Sequence, residues 1–424
     1  MARSRRWLVA VTEYAGLTPY TGGIGRHYAS LLPALVDLGV EVDLLVFCSE
    51  PPVADVDLGG VRVRAYVRRR DGPAVAWMLR RALRLRSHIG RSPYDAVFLA
   101  EWEGLGAFLP PGTPLVTNLA TSYRLADWIA GTAVKRRAAK ARISVAVQSL
   151  LETRQMRRSA GLIPISRAVA LWNGSRIPDL PPSVVVRNCI DVAAVREKSV
   201  DGPLPAGWPD GADPVVVFVG RLERRKGIEA AMRAFAALAR ARPDVRFVLA
   251  GGFGYPEFEP SEADLLSAVG ESDRDRFTFL GHLNGDELFP VMRAATVATC
   301  PSRWEGFGNV ALEVKAVGTP VVVTSGSGFD DFCHDRIDSL MVPPDDSKAL
   351  EAAIGELLDD EDLRTRLTTG ATLTIGSYDA GSVAPDLLDA VERLLAGHGP
   401  AEAVPPHRSA IRRRAAGASG EERR

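Results

Sequence analysis

Four charged side chains sit in two short strings, each directly behind an apolar run, and their types suit a molecule that carries phosphates and hydroxyls. The first string is Val219-Gly220-Arg221-Leu222-Glu223-Arg224-Arg225-Lys226-Gly227. Arg221 offers a planar fork of donors and Lys226 a mobile point charge, a combination suited to two adjacent phosphates. The string is not a Walker loop, because no glycine immediately precedes Lys226. The plainer alternative is a solvated basic turn. The second string runs Ser302-Arg303-Trp304-Glu305-Gly306-Phe307-Gly308-Asn309-Val310-Ala311-Leu312-Glu313. Asn309 is expected to cap a helix starting at Val310, with Glu305 in the loop and Glu313 in the opening turns. Gly306 and Gly308 leave backbone N–H groups beside that helix start. An ionised carboxylate is a double acceptor, so Glu305 and Glu313 can grip hydroxyls. The competing reading is that both simply favour the helix dipole. A glycosidase pair is not specified, since spacing across a loop does not fix the carboxyl separation.

A third string, Thr21-Gly22-Gly23-Ile24-Gly25-Arg26-His27, falls between a strand and a helix. Glycines there let amide groups approach an anion at the helix start. Tyr28 stands where a dinucleotide fingerprint needs its third glycine, so a tight turn is the alternative. Weaker features point nowhere in particular. Asp55-Val56-Asp57 and Asp273-Arg274-Asp275 read as exposed loops, because a hard cation needs several convergent oxygens. The six histidines show no metal-ligand spacing, and no nucleophile elbow occurs. No metal or cofactor is expected.

The elements that must position these strings follow from periodicity. Trp7–Val11, Val40–Phe47, Ala96–Leu99, Leu115–Asn118 and Leu162–Ile165 read as strands. Ile24, Tyr28, Leu31, Leu32 and Leu35 mark one helix face. A second series has strands at Val215–Val219, Arg246–Ala250, Phe277–Leu280, Thr296–Cys300 and Pro320–Thr324. Ile228, Ala231, Met232, Phe235 and Leu238 mark a helix face between them. Alternating strands and helices predict an α/β protein with two Rossmann-like units. The division is expected at 1–188 and 189–396, followed by a tail, 397–424, that lacks apolar periodicity and is expected to be disordered.

Composition supports two units with different tasks. The 424 residues carry 52 Lys and Arg against 52 Asp and Glu. That neutrality hides a split: residues 1–190 hold 26 cations against 14 anions, and the remainder holds 26 against 38. Ordinary composition excludes disordered, collagen-like and disulfide-stapled chains. Four scattered cysteines predict a reducing, cytoplasmic setting and no zinc site. The apolar run after Arg5-Arg6 is too short for a signal peptide and reads as a buried strand. Nucleic acid is not an expected partner. Arg68-Arg69-Arg70, Arg80-Arg81 and Lys135-Arg136-Arg137 with Lys140 and Arg142 read either as solvated helix faces or as a contact for an anionic membrane.

Taken in order, these strings resemble the retaining glycosyltransferases of family 4, which have the GT-B fold: two Rossmann-like domains facing each other across a cleft. The resemblance rests on Gly22-Gly23-Ile24-Gly25, on Asn188-Cys189-Ile190-Asp191, and on Gly220-Arg221-Leu222 with Lys226-Gly227. It rests also on Gly281 before a helix and, most specifically, on Glu305-Gly306-Phe307-Gly308 followed by Glu313. It implies metal-independent transfer of a sugar from a nucleoside-diphosphate sugar to an acceptor hydroxyl. The acceptor is a small molecule, a carbohydrate or a lipid, held by the N-terminal domain. Arg221, Lys226 and Glu305 would act on the reacting donor. Gly22, Gly23, Gly25, Leu283, Gly306, Phe307, Gly308, Asn309 and Glu313 would complete the donor site, with Glu313 on the ribose. The last helix, about Val383–Leu395, would return to the N-terminal domain.

Two departures stand out. Cys189 replaces a common glycine, and Ala120 or a neighbour occupies the place of a histidine that contacts the donor sugar, with Thr121 or Ser122 as the candidate replacement. Two other functions fit the same strings: a nucleotide-sugar hydrolase or epimerase of the same fold, and a non-catalytic nucleotide-sugar-binding subunit.

Overall fold

The computed structural model describes residues 5–18, 22–48, 56–68, 72–90, 93–131 and 139–397. Thr21, Asp55, Arg69, Arg70, Lys135, Arg136, Arg137, the side chain of Lys140 and the tail from residue 398 lie outside them.

The first half runs β1 (Arg5–Val11), α1 (Gly23–Asp37), β2 (Val40–Cys48), β3 (Arg62–Arg68), α2 (Ala74–Ile89), β4 (Ala96–Ala100), β5 (Leu115–Leu119), α3 (Tyr123–Ala130), α4 (Ala139–Arg158), β6 (Gly161–Pro164) and α5 (Arg167–Gly174). The second half runs α6 (Val192–Asp201), β7 (Val215–Val219), α7 (Ile228–Ala241), β8 (Arg246–Ala250), α8 (Glu262–Leu266), β9 (Phe277–Gly281) and α9 (Gly285–Ala294). It continues with β10 (Val297–Cys300), α10 (Asn309–Val317), β11 (Val321–Thr324), β12 (Leu340–Val342), α11 (Ser347–Asp359), α12 (Glu361–Ile375) and α13 (Ala380–Leu395).

Each half builds one six-stranded sheet, in the orders β3-β2-β1-β4-β5-β6 and β12-β11-β10-β7-β8-β9. Neighbouring strands are parallel throughout. Counted from its own first strand, each sheet has the order 3-2-1-4-5-6. Parallel strands are covered on both faces, so β7 reads as the continuous run Val-Val-Val-Phe-Val and is buried along its length. In both sheets the strand order reverses beside the first strand, between β1 and β4 and between β7 and β10. Such a reversal leaves a crevice at the carboxyl ends of the two strands.

Two strands escape the periodicity. β3 is an edge strand whose outward residues are Arg62, Arg64, Tyr66 and Arg68, a mostly charged edge that discourages pairing with another sheet. Arg62 and Arg64 reach Asp43, which is buried on β2, so part of this basic segment neutralises an internal carboxylate. Likewise Arg81, in α2, is buried and pairs with Glu103. β12 has three residues, too few to show a period.

The chain crosses between the halves twice, side by side. Ile190 N–H donates to the Tyr378 carbonyl and Ala380 N–H to the Ile190 carbonyl, both at 3.0 Å. Asp379 accepts from the Val192 amide and caps α13. The last helix packs on the first half: Val383, Leu387, Val391 and Leu394 share a core with β1 and β2. A second core is continuous across the halves, joining Leu119, Ile165 and Trp172 to Val217, Trp304 and Phe307. Trp128 of α3 meets Trp304 edge-on with ring centres 5.8 Å apart. None of the helices among the described residues is long and apolar enough to cross a membrane.

Candidate active site

The Arg221 and Glu305 strings follow β7 and β10, the two strands that flank the crevice of the second sheet. Gly227 (φ +76°) lets them meet: a Cβ there would stand 1.9 Å from the Pro301 carbonyl oxygen. The Arg303 amide donates to the Arg225 carbonyl at 2.9 Å, which ties the loops together. Lys226 Nζ is thereby brought onto Glu305 Oε1, which also accepts from Ser302 Oγ at 2.7 Å. Burial would raise the Glu305 pKa, but the Lys226 and Arg225 cations hold it below the usual carboxylate range. Arg221 does not face Lys226 in isolation: its Nη2 lies 2.8 Å from Glu223 Oε1, while Arg225 takes the other oxygen of Glu223 at 2.7 Å.

The next turn is built from backbone. Gly308 (φ +103°) has no room for a side chain, since the Phe329 ring lies 2.2 Å from where a Cβ would be. Gly306 is pressed against the first half: its carbonyl accepts from Ser166 Oγ at 2.5 Å, and the Ala120 carbonyl lies 3.1 Å from its Cβ position. Phe307 is buried with its ring 4.8 Å from that of Phe332, so only its backbone is available to a ligand.

Asn309 is not the cap of α10 but its first residue; Gly308 holds the cap position, and no side chain bonds the opening amides. Asn309 Oδ1 instead accepts from Asn188 Nδ2 at 3.1 Å, another bond between the halves.

Glu313, one turn into α10, is buried. Its Oε1 lies 3.6 Å from Arg26 Nη1 of the first half, and its Oε2 has no partner. Burial raises its pKa, partly opposed by Arg26. Leu283 is half-buried against the shared core, just ahead of the Asn284 cap of α9.

The glycine loop departs from expectation. Gly22 and Gly25 do present amides at the start of α1, but both are taken by the chain's own Glu13: Gly22 N–H donates to Oε2 and Gly25 N–H to Oε1, each at 2.9 Å. Gly23 is exposed with nothing near its Cβ position. Glu13 also lines a cleft of about 220 Å³ at the reversal of the first sheet, with Thr12, Ile24, Tyr28, Trp102 and Leu105.

Both sequence departures have local explanations. Cys189 is buried, and its backbone has no positive φ that would demand glycine. Its N–H points to His27 Nδ1 at 3.2 Å. Ala120 is buried, with its N–H donating to Glu101 Oε2 at 3.0 Å. Ser122 is spent on capping α3, whereas Thr121 Oγ1, donating to the Ala120 carbonyl, lies 3.5 Å from the Gly306 Cβ position. Of the two D-x-D strings, Asp57 closes a turn with the Gly59 amide, and Asp273 pairs with Arg276. Arg26 and Glu223 stand within the strings singled out in the sequence but had no role assigned there, and Glu13 was not singled out; each meets its partner only through the fold.

Two sheets of identical order, with their carboxyl-end loops bonded across a cleft, define the GT-B class of fold. A family model described as glycosyl transferases group 1 matches residues 213–360, and one described as glycosyltransferase family 4 matches residues 21–194. D-inositol 3-phosphate glycosyltransferase of Acidothermus cellulolyticus is 31% identical over 384 residues, covering 82% of this chain and 81% of that protein. Glycogen synthase of Mycobacterium tuberculosis is 29% identical over 380 residues, covering 80% and 83%. The solved sucrose-phosphate synthase from Thermosynechococcus elongatus superposes with a TM-score of 0.72 at 21% identity, covering 92% of this chain and 99% of that one. The chain belongs to glycosyltransferase family 4; it is a transferase enzyme with the GT-B fold.

Proposed function

We propose that the protein transfers a sugar from a nucleoside-diphosphate sugar to an acceptor hydroxyl, with retention of anomeric configuration and without a metal. The donor lies on the second half, residues 189–396, and the acceptor on the first, residues 1–188. One observation carries this reading: Lys226 and Glu305 meet at the crevice between β7 and β10, beside the uncapped start of α10. Breaking the anomeric C–O bond places charge on the departing diphosphate. Arg221, Lys226 and the amides at Gly308 and Asn309 are arranged to receive that charge before it develops, which lowers the barrier. Glu305 takes sugar hydroxyls and Glu313 the ribose. The acceptor oxygen attacks from the face the diphosphate leaves, and its proton passes to the departing phosphate oxygen, so no protein nucleophile is required.

The cleft lined by Trp102, Tyr28 and Thr12 is the acceptor's place, because it lies at the reversal of the first sheet. An aromatic face and a few polar groups suit a sugar or other polyhydroxylated ring. Basic residues on α2, Arg80 and Arg84 among them, remain exposed for an anionic membrane if the acceptor is a lipid.

The test is a screen of UDP-, GDP-, ADP- and dTDP-sugars by calorimetry, followed by an assay of nucleoside diphosphate release with candidate acceptors and chelator present. One donor should bind and turn over. Turnover that requires added divalent metal contradicts the metal-independent step, and flotation with anionic liposomes separates lipid from soluble acceptors.

A further inference from the structure

Arg26 is the one cleft cation among the described motif residues that comes from the first half. It stands in the first turn of α1, directly after Gly25, and leans on Glu313 of α10. The fit is poor. An arginine and a carboxylate normally form two parallel bonds near 2.8 Å. Here the contact is 3.6 Å, outside hydrogen-bond range. Arg26 Nε and Glu313 Oε2 are both buried, and neither has a partner. Unsatisfied buried groups are costly, so this pair is poised for a ligand that supplies what each lacks. A nucleoside diphosphate does so. Its ribose hydroxyls donate to Glu313, and its phosphate oxygens accept from a guanidinium.

The glycine loop supplies a second reason. With the Gly22 and Gly25 amides held by Glu13, two groups of that loop suited to a phosphate are already bonded, and a carboxylate sits beside them. A phosphate approaching from the second half meets that negative charge unless a cation intervenes, and Arg26 is placed to do so.

We propose that Arg26 is a donor-binding residue contributed by the first half, whose guanidinium moves from Glu313 to a donor phosphate when the ribose engages that carboxylate. This rests on the donor-site reading above and deepens it: the phosphate of a molecule held by one half becomes the partner of a side chain on the other, so one contact between the halves is exchanged for another.

The probe is whichever of UDP, GDP, ADP and dTDP the wild-type enzyme binds, together with its nucleoside. The expected result for Arg26→Ala is a loss of about tenfold or more in diphosphate affinity, as for removing a charge-assisted hydrogen bond. Nucleoside affinity should be unchanged or higher, because Glu313 loses its competitor. Arg26→Lys, which keeps the charge but not the fork, should recover part of the loss. Parallel weakening of nucleoside and diphosphate, or an unchanged diphosphate affinity, overturns the proposal while leaving the donor-site reading intact. Failure of the wild type to bind any of the four overturns that reading, and this one with it.

Discussion

Three cations at the cleft each lean on a carboxylate of the chain: Lys226 on Glu305, Arg221 on Glu223 and Arg26 on Glu313. The second half is acidic as a whole, so its global field opposes an anionic donor and these local clusters must overcome it. Lys226 and Glu305 are the most enclosed of the three pairs. Removing Lys226 alone leaves a nearly buried carboxylate without its cation, at a cost of about 3 kcal/mol. Lys226→Ala should therefore lower the melting temperature clearly, and adding Glu305→Gln should restore part of it, as a double-mutant cycle by calorimetry will show. An equal loss in single and double variants would contradict the pairing. His27 gives a different kind of test. Desolvation holds its pKa down to about 4, against an ordinary value near 6.5. Between those values the unfolded chain binds a proton that the folded chain does not, so stability rises with pH across the window and falls as pH drops from about 6.5 to 4. The full difference is about 3 kcal/mol. Urea denaturation from pH 7 to pH 4 should show that loss, and a His27→Gln variant should lack that component of the slope.

At the scale of elements, the site is a meeting of loops that glycines allow. Gly227 and Gly308 combine positive φ with contacts that leave no space for a Cβ. Gly227→Ala should destabilise the fold by about 2 kcal/mol through backbone strain, and more through the clash with Pro301. It should also separate Lys226 from Glu305, so donor affinity falls with stability; retained donor affinity would contradict this loop geometry. Sequence pattern was a good guide to these elements wherever strands are buried on both faces, since such strands read as plain apolar runs. It failed at β3, where arginines alternate along a charged edge, and at β12, which is too short to carry a pattern. The cap of α10 was misplaced by one residue because Asn309 is a favourable capping type, while Gly308 takes the cap through its backbone. The motif loops were legible because glycine spacing and charge type are local. The partners Arg26, Glu223 and Glu13 were not, because contact across a fold leaves no spacing in the chain.

The whole molecule is two sheets joined by paired crossings at Ile190 and Asp379, with one apolar core running through the contact between halves. That core makes the contact around Trp128, Trp172 and Trp304 firm, and places Glu305 next to it in sequence. Trp128→Ala removes the edge-on partner of Trp304 and should cost about 3 kcal/mol. It should loosen the Glu305 loop as well, measured as weaker donor binding at a pH and temperature where the variant is folded. The opposite charges of the halves attract through solvent only weakly, since exposed charges are screened within about 8 Å at physiological ionic strength. Stability should accordingly change little between low and moderate salt, whereas diphosphate affinity should fall as salt rises.

In the proposed donor site, Glu313 and Arg221 hold a nucleoside-diphosphate sugar at the crevice of the second sheet. The most direct measurement is calorimetric titration of wild type, Glu313→Ala and Arg221→Ala with UDP-, GDP-, ADP- and dTDP-sugars. Saturable binding of one donor by the wild type is expected, with loss of that binding in Glu313→Ala and slowed release of nucleoside diphosphate in Arg221→Ala. Undiminished donor binding by a folded Glu313→Ala protein would contradict it.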